Sequence, residues 1–327
     1  MYDLISVGDA TIDNFVQIQD AEVRCSLNKE DCKLCIDYGD KIAVDKLTHL
    51  VAGNAANNAV GGARLKLNSA IYVNVGSDPA GKQILDKFKQ EGVSPQYVLI
   101  NKGMESNLST VINFQGERTI LVYHQAWKYD LPDLDRTKWV YFTSVSRSFT
   151  QSNIISQLVQ YLQRVGGKLL YNPGTYQIQA GIKKSPQLLL LTELFIVNEE
   201  EAKRILGYQD EEDIAIKKLL KGLCDLGPRM IIITDGEEGS YGFDGSKYYH
   251  LGIFPAKLLE MTGAGDGYAT GVLAGLFYGK DLPEAMRWGA ANGAAVVEQI
   301  GPQAGLLTYD KMQEKLKENS KIIAKEI

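Results

Sequence analysis

Short apolar runs alternate with helix-length amphipathic segments along most of the chain, and that alternation constrains the fold more than any other feature. Leu4–Val7, Ala70–Val75, Trp139–Phe142, Lys168–Tyr171, Leu194–Val197 and Met230–Thr234 read as strands. Helical spacing is expected over Asn54–Leu65, Gly81–Gln90, Gln151–Arg164, Glu199–Leu206 and Asp213–Leu223, then near Asp266–Tyr278, Pro283–Gln299 and Tyr309–Glu318. This order predicts a mostly parallel sheet with helices on both faces. No repeat or low-complexity linker interrupts it, so the 327 residues read as a single domain, 1–327.

Two stretches break the rhythm. Ile12–Leu50 is long and polar, without helical period. Asn107–Tyr123 holds a hairpin-like pair, Ser109–Phe114 and Arg118–Tyr123, around Gln115-Gly116-Glu117. Both follow early sheet strands, so segments of about 12–50 and 105–125 are expected to meet as a small β-lid that excludes water from a reaction below it.

A net charge of -5 argues against nucleic acid or an anionic membrane as the main partner. No apolar run reaches spanning length and the chain leads directly into a strand, so a soluble cytoplasmic protein is expected. Cys25, Cys32 and Cys35 could supply part of a thiolate metal site, but no fourth ligand is evident. Reduced thiols in a polar loop are the expectation, and disulfides are not. His49, His124 and His250 show no metal spacing, and no GxSxG elbow is present.

Chemistry concentrates in Met261-Thr262-Gly263-Ala264-Gly265-Asp266-Gly267-Tyr268. The glycines let backbone N–H groups converge, and the helix that follows adds its positive dipole end, which together make an anion site. An acid inside such a site repels an anion unless it has its own task, such as taking a proton beside a phosphate. Phosphoryl transfer fits that pairing. Gly76-Ser77-Asp78-Pro79-Ala80-Gly81-Lys82-Gln83 approaches a Walker A loop, but Gln83 stands where Ser or Thr should be and Pro79 lacks an N–H. Asp78-Pro79 reads instead as a helix start.

Other segments keep two readings open. Val51–Ala59 packs small residues and amides that suit hydroxyl recognition, or forms a Gly-initiated helix with exposed Asn. Gly8-Asp9 and Asp13 leave the first strand at its ligand-binding end, or serve as turn residues. Asn198 and Glu201 share a helical face near a strand end, where an acid can orient hydrated Mg²⁺ or simply match the helix dipole. Thr234-Asp235-Gly236-Glu237-Glu238-Gly239 is a turn at the same edge.

Taken in order, these motifs resemble the PfkB (ribokinase-like) family of sugar and nucleoside kinases from end to end. Gly53–Asn57 is similar to its N-terminal signature, with Ala52-Gly53 where two glycines are usual. Gly76–Gly81 fits GxDxxG, Asn198-x-x-Glu201 fits NxxE, and Thr262–Asp266 matches TGAGD. The resemblance implies a ribokinase-like three-layer α/β/α sandwich with a β-lid that often mediates dimerisation. It implies Asp266 as general base, with Gly263, Ala264 and Gly265 as anion-hole backbone. Asp13, Gly53 and Asn57 become acceptor contacts. Asn198, Thr234, Gly236, Glu237, Gly239 and Asn292 become nucleotide contacts, and Glu201 becomes the Mg²⁺-associated acid. Glu260-Met261 departs from the Asp-Thr of relatives activated by a monovalent cation, so K⁺ dependence is not carried over.

The expected activity is transfer of the ATP γ-phosphate to a hydroxymethyl group of a pentose, hexose or sugar acid. A nucleoside, or a sugar phosphate held by Arg147 or Arg118, is the alternative acceptor. Of these two, Arg147 lies nearer the expected cleft, while Arg118 is expected at the surface of a hairpin. A non-catalytic nucleotide or sugar sensor is the reading of a different class.

Overall fold

The computed structural model describes residues 1–25, 32–115 and 117–327, so Gly116 of the expected hairpin turn lies outside the described residues. Strands Tyr2–Val7, Ser69–Tyr72, Thr137–Phe142, Lys168–Tyr171, Thr192–Asn198 and Met230–Asp235 pair in parallel, with Ser69–Tyr72 at one edge and Met230–Asp235 at the other end of the parallel set. Antiparallel strands Gly239–Phe243, Tyr248–Leu251 and Lys325–Glu326 extend the sheet to nine strands. The expected single run Ala70–Val75 divides, because Asn74–Gly76 leaves the main sheet to pair with Leu99–Asn101.

Side chains alternate across this sheet with the two-residue period of a strand. In Thr137–Phe142, Val140 and Phe142 enter one apolar layer and Trp139 and Tyr141 the other. The first layer is closed by helices Ile154–Val165, Glu199–Leu206 and Ile216–Cys224. The second is closed by helices Ala264–Phe277, Leu282–Val296 and Tyr309–Glu318. Every long helix read from the sequence is present, while the shorter Thr175–Ala180 and Pro186–Leu190 carry too little periodicity to announce themselves.

Helices Ala264–Phe277 and Leu282–Val296 approach closely because glycines line their contact. A Cβ on Gly271 would lie 2.4 Å from the Trp288 carbonyl oxygen, and one on Gly275 2.9 Å from the Ala285 Cα. Backbone cannot rotate aside as a side chain can. Near Asp78, a helix start replaces the rejected phosphate loop: the Asp78 carboxylate accepts from the Gly81 N–H at 2.8 Å and from the Ser106 hydroxyl at 2.7 Å.

The lid is a four-stranded sheet in the order Glu117–Tyr123, Leu108–Phe114, Thr11–Ile18, Val44–Ala52. Its register sorts residues onto two faces. Asp13, Ser109 and Val122 lie in one row, Phe15, Val111 and Ile120 in the next, and Gln17, Asn113 and Arg118 at the tip. The other face carries Leu47, Leu121 and Tyr123, each exposed.

The cysteine expectation is corrected. Strands Glu22–Cys25 and Cys32–Cys35 pair antiparallel with Cys25 opposite Cys32, and these two form a disulfide; Cys35 and Cys224 are free thiols. The expectation of reduced thiols rested on compartment, whereas strand register decides which sulfurs meet.

Gly271→Ala tests the glycine packing. Alanine favours a helix interior by about 1 kcal/mol over glycine, but overpacking costs about 1–3 kcal/mol, and here it falls on backbone. Urea denaturation is expected to show net destabilisation. Gly222→Ala, whose Cβ would meet only the Leu206 methyls at 3.1 Å, is expected to be neutral or stabilising. A gain in stability by Gly271→Ala would contradict the close approach.

Candidate active site

A cleft of about 610 Å³ opens between the lid and the carboxyl ends of the parallel strands. That is the place where open α/β sheets bind ligands, because strand-to-helix turns gather there. Its lining includes Asp13, Gly53, Asn57, Gly263 and Asp266, drawn from three segments distant in sequence.

Asp266 is the third residue of helix Ala264–Phe277, whose N-cap Gly263 has φ 84°. A Cβ at Gly263 would lie 2.3 Å from the Pro302 Cβ, so the turn needs glycine for both conformation and space. Of the expected anion-hole amides, that of Ala264 donates to the Met261 carbonyl at 3.2 Å. Helix geometry leaves the Gly265 and Asp266 N–H groups without an intrahelical acceptor, and nothing stands within 4 Å of the Cβ position of Gly265.

The Asp266 carboxylate is held from helix Asn54–Arg64. The Asn57 side-chain amide donates to Asp266 Oδ2 at 2.7 Å, and Asn57 Oδ1 accepts from Gln303 Nε2 at 3.1 Å. Asn57, expected to contact the acceptor, lines the cleft, and its amide also fixes the acid. Burial pushes the Asp266 carboxyl up to about 6, while hydrogen bonds from Asn57 and Asn54 pull it down. Asp13 is likewise pushed up to about 6, by burial first, opposed by a hydrogen bond to Ser109 and assisted by Glu260 and Asp266. Its Oδ1 is buried with no partner among the described residues. Asp9 also lines the cleft and is pushed up to about 7 by burial, with the Tyr129 hydroxyl 2.7 Å and 2.9 Å from its two oxygens.

Gly53 has φ 98° and caps helix Asn54–Arg64. A Cβ there would meet the Asp9 carbonyl at 2.7 Å, where the two strands entering the lid converge.

The expected nucleotide residues lie along the same sheet edge. Asn198 and Thr234 are register partners at the ends of adjacent strands. Gly236 (φ 47°) and Glu237 form the turn after Thr234 and are exposed, and Gly239 (φ 90°) starts the next strand. Asn198 and Glu201 form a reciprocal cap: Asn198 Oδ1 accepts from the Glu201 N–H at 2.8 Å, and Glu201 Oε2 from the Asn198 N–H at 3.0 Å. Burial raises the Glu201 carboxyl.

Asn292 requires correction. It is fully buried, and its amide is spent on the Gly267 carbonyl at 2.7 Å and the Leu307 N–H at 2.9 Å, so it ties helices together and does not face a nucleotide. The order of the two arginines is also reversed. Both are exposed, Arg118 as expected of a hairpin residue, but Arg147, in the short Arg147–Gln151 turn, is absent from the cleft lining, whereas Arg118 lines it. Strand period is the reason: Arg118 shares a face with Ile120 and Val122, which also line the cleft. The sequence signal was that alternation. Gln303, by contrast, gave no signal, because a lone loop amide has no pattern.

Among the described residues, no group of three or more His, Cys, Asp or Glu side chains gathers to hold a metal. No helix among them is long and apolar enough to cross a membrane.

Comparison with known proteins agrees with this geometry. The family model described as pfkB family carbohydrate kinase matches residues 13–308. An ATP-dependent 6-phosphofructokinase of Thermoanaerobacterium thermosaccharolyticum is 25% identical over 95% of this chain and 93% of its own. A 5-dehydro-2-deoxygluconokinase of Clostridium perfringens is 26% identical over 82% of this chain and 84% of its own. The structure of Arabidopsis thaliana ribokinase complexed with ribose and ATP superposes with a TM-score of 0.78 at 22% identity, covering 97% of this chain and 99% of that one, and shows a shared fold. With the family model spanning both the lid and the Asp266 helix, the chain belongs to the pfkB family of carbohydrate kinases.

Proposed function

We propose that the protein is an ATP-dependent sugar kinase in which Asp266 takes the proton from an acceptor hydroxymethyl group. The observation that carries this reading is a buried carboxylate, pushed up to about 6, at the start of a glycine-bounded helix and facing the same cleft as a second carboxylate, Asp13. A base must be largely ionised near neutral pH yet retain some affinity for a proton, and this value meets both needs.

Asp13, through its unpartnered Oδ1, receives acceptor hydroxyls, while Gly53 lets the strand after Asp9 pack closely against the start of helix Asn54–Arg64 at the cleft wall. Asp266 accepts the hydroxyl proton as the acceptor oxygen bonds to the γ-phosphorus. The bond from that phosphorus to the β–γ bridging oxygen breaks, releasing ADP. The free N–H groups at the start of helix Ala264–Phe277 offset charge on the transferring group. Asn57 and Gln303 hold the Asp266 carboxylate in place, and the lid excludes water. ATP as the second substrate accords with the family and with the ATP-bound ribokinase.

The nucleotide lies on Asn198, Thr234, Gly236, Glu237 and Gly239. With no protein cage for a metal among the described residues, Mg²⁺ would be held chiefly by phosphate oxygens and water, with Glu201 supplying a carboxylate. When bound, Mg²⁺ supplies charge neutralisation at the phosphates. The exposed lid face bearing Leu47, Leu121 and Tyr123 is the surface through which a second copy would pair.

Asp266→Asn is expected to lower kcat on the order of 10²- to 10⁴-fold in a coupled ADP-release assay. Near-wild-type turnover would sink the assignment. The acid limb of kcat/KM is expected near pH 6, where Asp266 and Asp13 ionise. Asn57→Leu removes a donor that favours the ionised form, so it should move that limb to higher pH; a shift to lower pH would contradict the assignment of the bond.

Folding raises Asp266 above its ordinary value of 3.8, so its contribution to stability is complete below that value and is lost as pH rises through about 6. Asp266→Asn should therefore be more heat-stable than the wild type at about pH 8, with the difference shrinking toward about pH 4. A calorimetric difference that grows on acidification would refute this sign.

A further inference from the structure

The cleft is chemically lopsided. Asp9, Asp13 and Asp266 line it, and Glu260 lies close enough to raise Asp13. Arg118 is the one Lys or Arg in its lining. Among the described residues the exposed Arg118 side chain has neither an ion-pair nor a hydrogen-bond partner, although it carries five donors in a planar fork. A second cavity, of about 200 Å³ at the lid tip, is lined by Gln17, Asn113, Glu260 and Met261, and Arg118 lines that one as well.

The lid register arranges what a ligand would meet. Asp13, Ser109 and Val122 form the row nearest the hinge, Ile120 lines the cleft from the middle row, and Arg118 from the tip row. Two steps of two residues place the outer rows roughly 13 Å apart along the strand, a span that the long arginine side chain shortens. His124 adds a polar group: its Nδ1 is buried without a partner among the described residues, and burial lowers its ring, keeping it neutral. A neutral sugar needs hydroxyl ligands and an apolar face, which the first two rows provide. It has no use for an unpaired guanidinium.

We propose that the acceptor carries an anionic group, a phosphate or a carboxylate, that Arg118 binds from the lid while its hydroxymethyl group lies at Asp266. This rests on the kinase reading above. The fork of Arg118 matches two oxygens of either anion. The acidic surroundings make the site selective, because an anion without that fork would meet only carboxylates. Lid closure then becomes substrate-dependent, since Arg118 reaches the cleft as part of the lid sheet.

The test is steady-state kinetics with ATP and Mg²⁺ on wild type, Arg118→Ala and Arg118→Lys. The acceptors are fructose as the neutral sugar, fructose 6-phosphate for the phosphate arm and gluconate for the carboxylate arm. Wild type is expected to favour one anionic acceptor over fructose in kcat/KM, and the better arm identifies the anion. Arg118→Ala is expected to cut kcat/KM for that acceptor on the order of 10²-fold more than for fructose, chiefly through KM. Arg118→Lys should recover only part, since an ammonium keeps the charge but not the fork.

A wild type that prefers fructose overturns this proposal and leaves the kinase reading standing. An equal fall in kcat for all acceptors in Arg118→Ala also overturns it, placing Arg118 on the transferring phosphoryl group. Transfer to none of the acceptors, together with no ADP release, would fail the kinase reading and this proposal with it.

Discussion

The hydrogen bond of 2.7 Å from the Asn57 amide to Asp266 is the contact on which the site depends. A carboxylate buried this deeply is costly unless donors compensate it. The donors come from helix Asn54–Arg64, which follows the lid's last strand, Val44–Ala52. A parallel set of bonds fixes the same helix pair: the Ser6 hydroxyl donates to Asn58 Oδ1 at 2.7 Å, and the Asn58 amide to the Thr270 hydroxyl at 3.0 Å. The Thr270 hydroxyl in turn donates to the Asp266 carbonyl at 2.7 Å. Asp266 is thus tied through both its side chain and its backbone to the helix that also starts at the base of the lid.

That arrangement explains the glycines as packing requirements. Helix Ala264–Phe277 must lie close to helix Asn54–Arg64 on one side and to helix Leu282–Val296 on the other. Gly61 admits the Thr270 methyl, which would stand 2.7 Å from a Cβ, and Gly271 admits the Trp288 carbonyl. Native packing leaves little slack, so the position of Asp266 follows from backbone spacing. Asn292, buried between the same helices, belongs to this scaffold.

The lid supplies what the rigid edge of the sheet does not. Its cleft-lining residues run from Asp13 through Val122 and Ile120 to Arg118, while its other face exposes apolar side chains. In the proposed reaction, selectivity and water exclusion fall to the lid, and proton transfer to the packed helix Ala264–Phe277.

Much of this was legible in the chain. Helix lengths follow from periodicity, and the Gly263–Asp266 turn follows from the steric and electrostatic demands of an anion site. The two-residue alternation of Arg118, Ile120 and Val122 was also present, but hairpin position was a poor guide to which face looked inward, since that depends on the sheet beneath. Other features arise only when distant segments meet. Asn57 and Gln303 are 246 residues apart, and nothing local tells an amide whether its partner will be a sugar or an aspartate. Cys25 and Cys32 pair because strand register sets them opposite each other. By itself, then, the sequence determined the elements, their order and the glycine turn before helix Ala264–Phe277, because those depend on short-range periodicity and backbone freedom. Only the tertiary structure decided which acid is oriented, which arginine enters the cleft and which asparagine is spent on packing, because burial and hydrogen-bond partners are properties of the assembled fold.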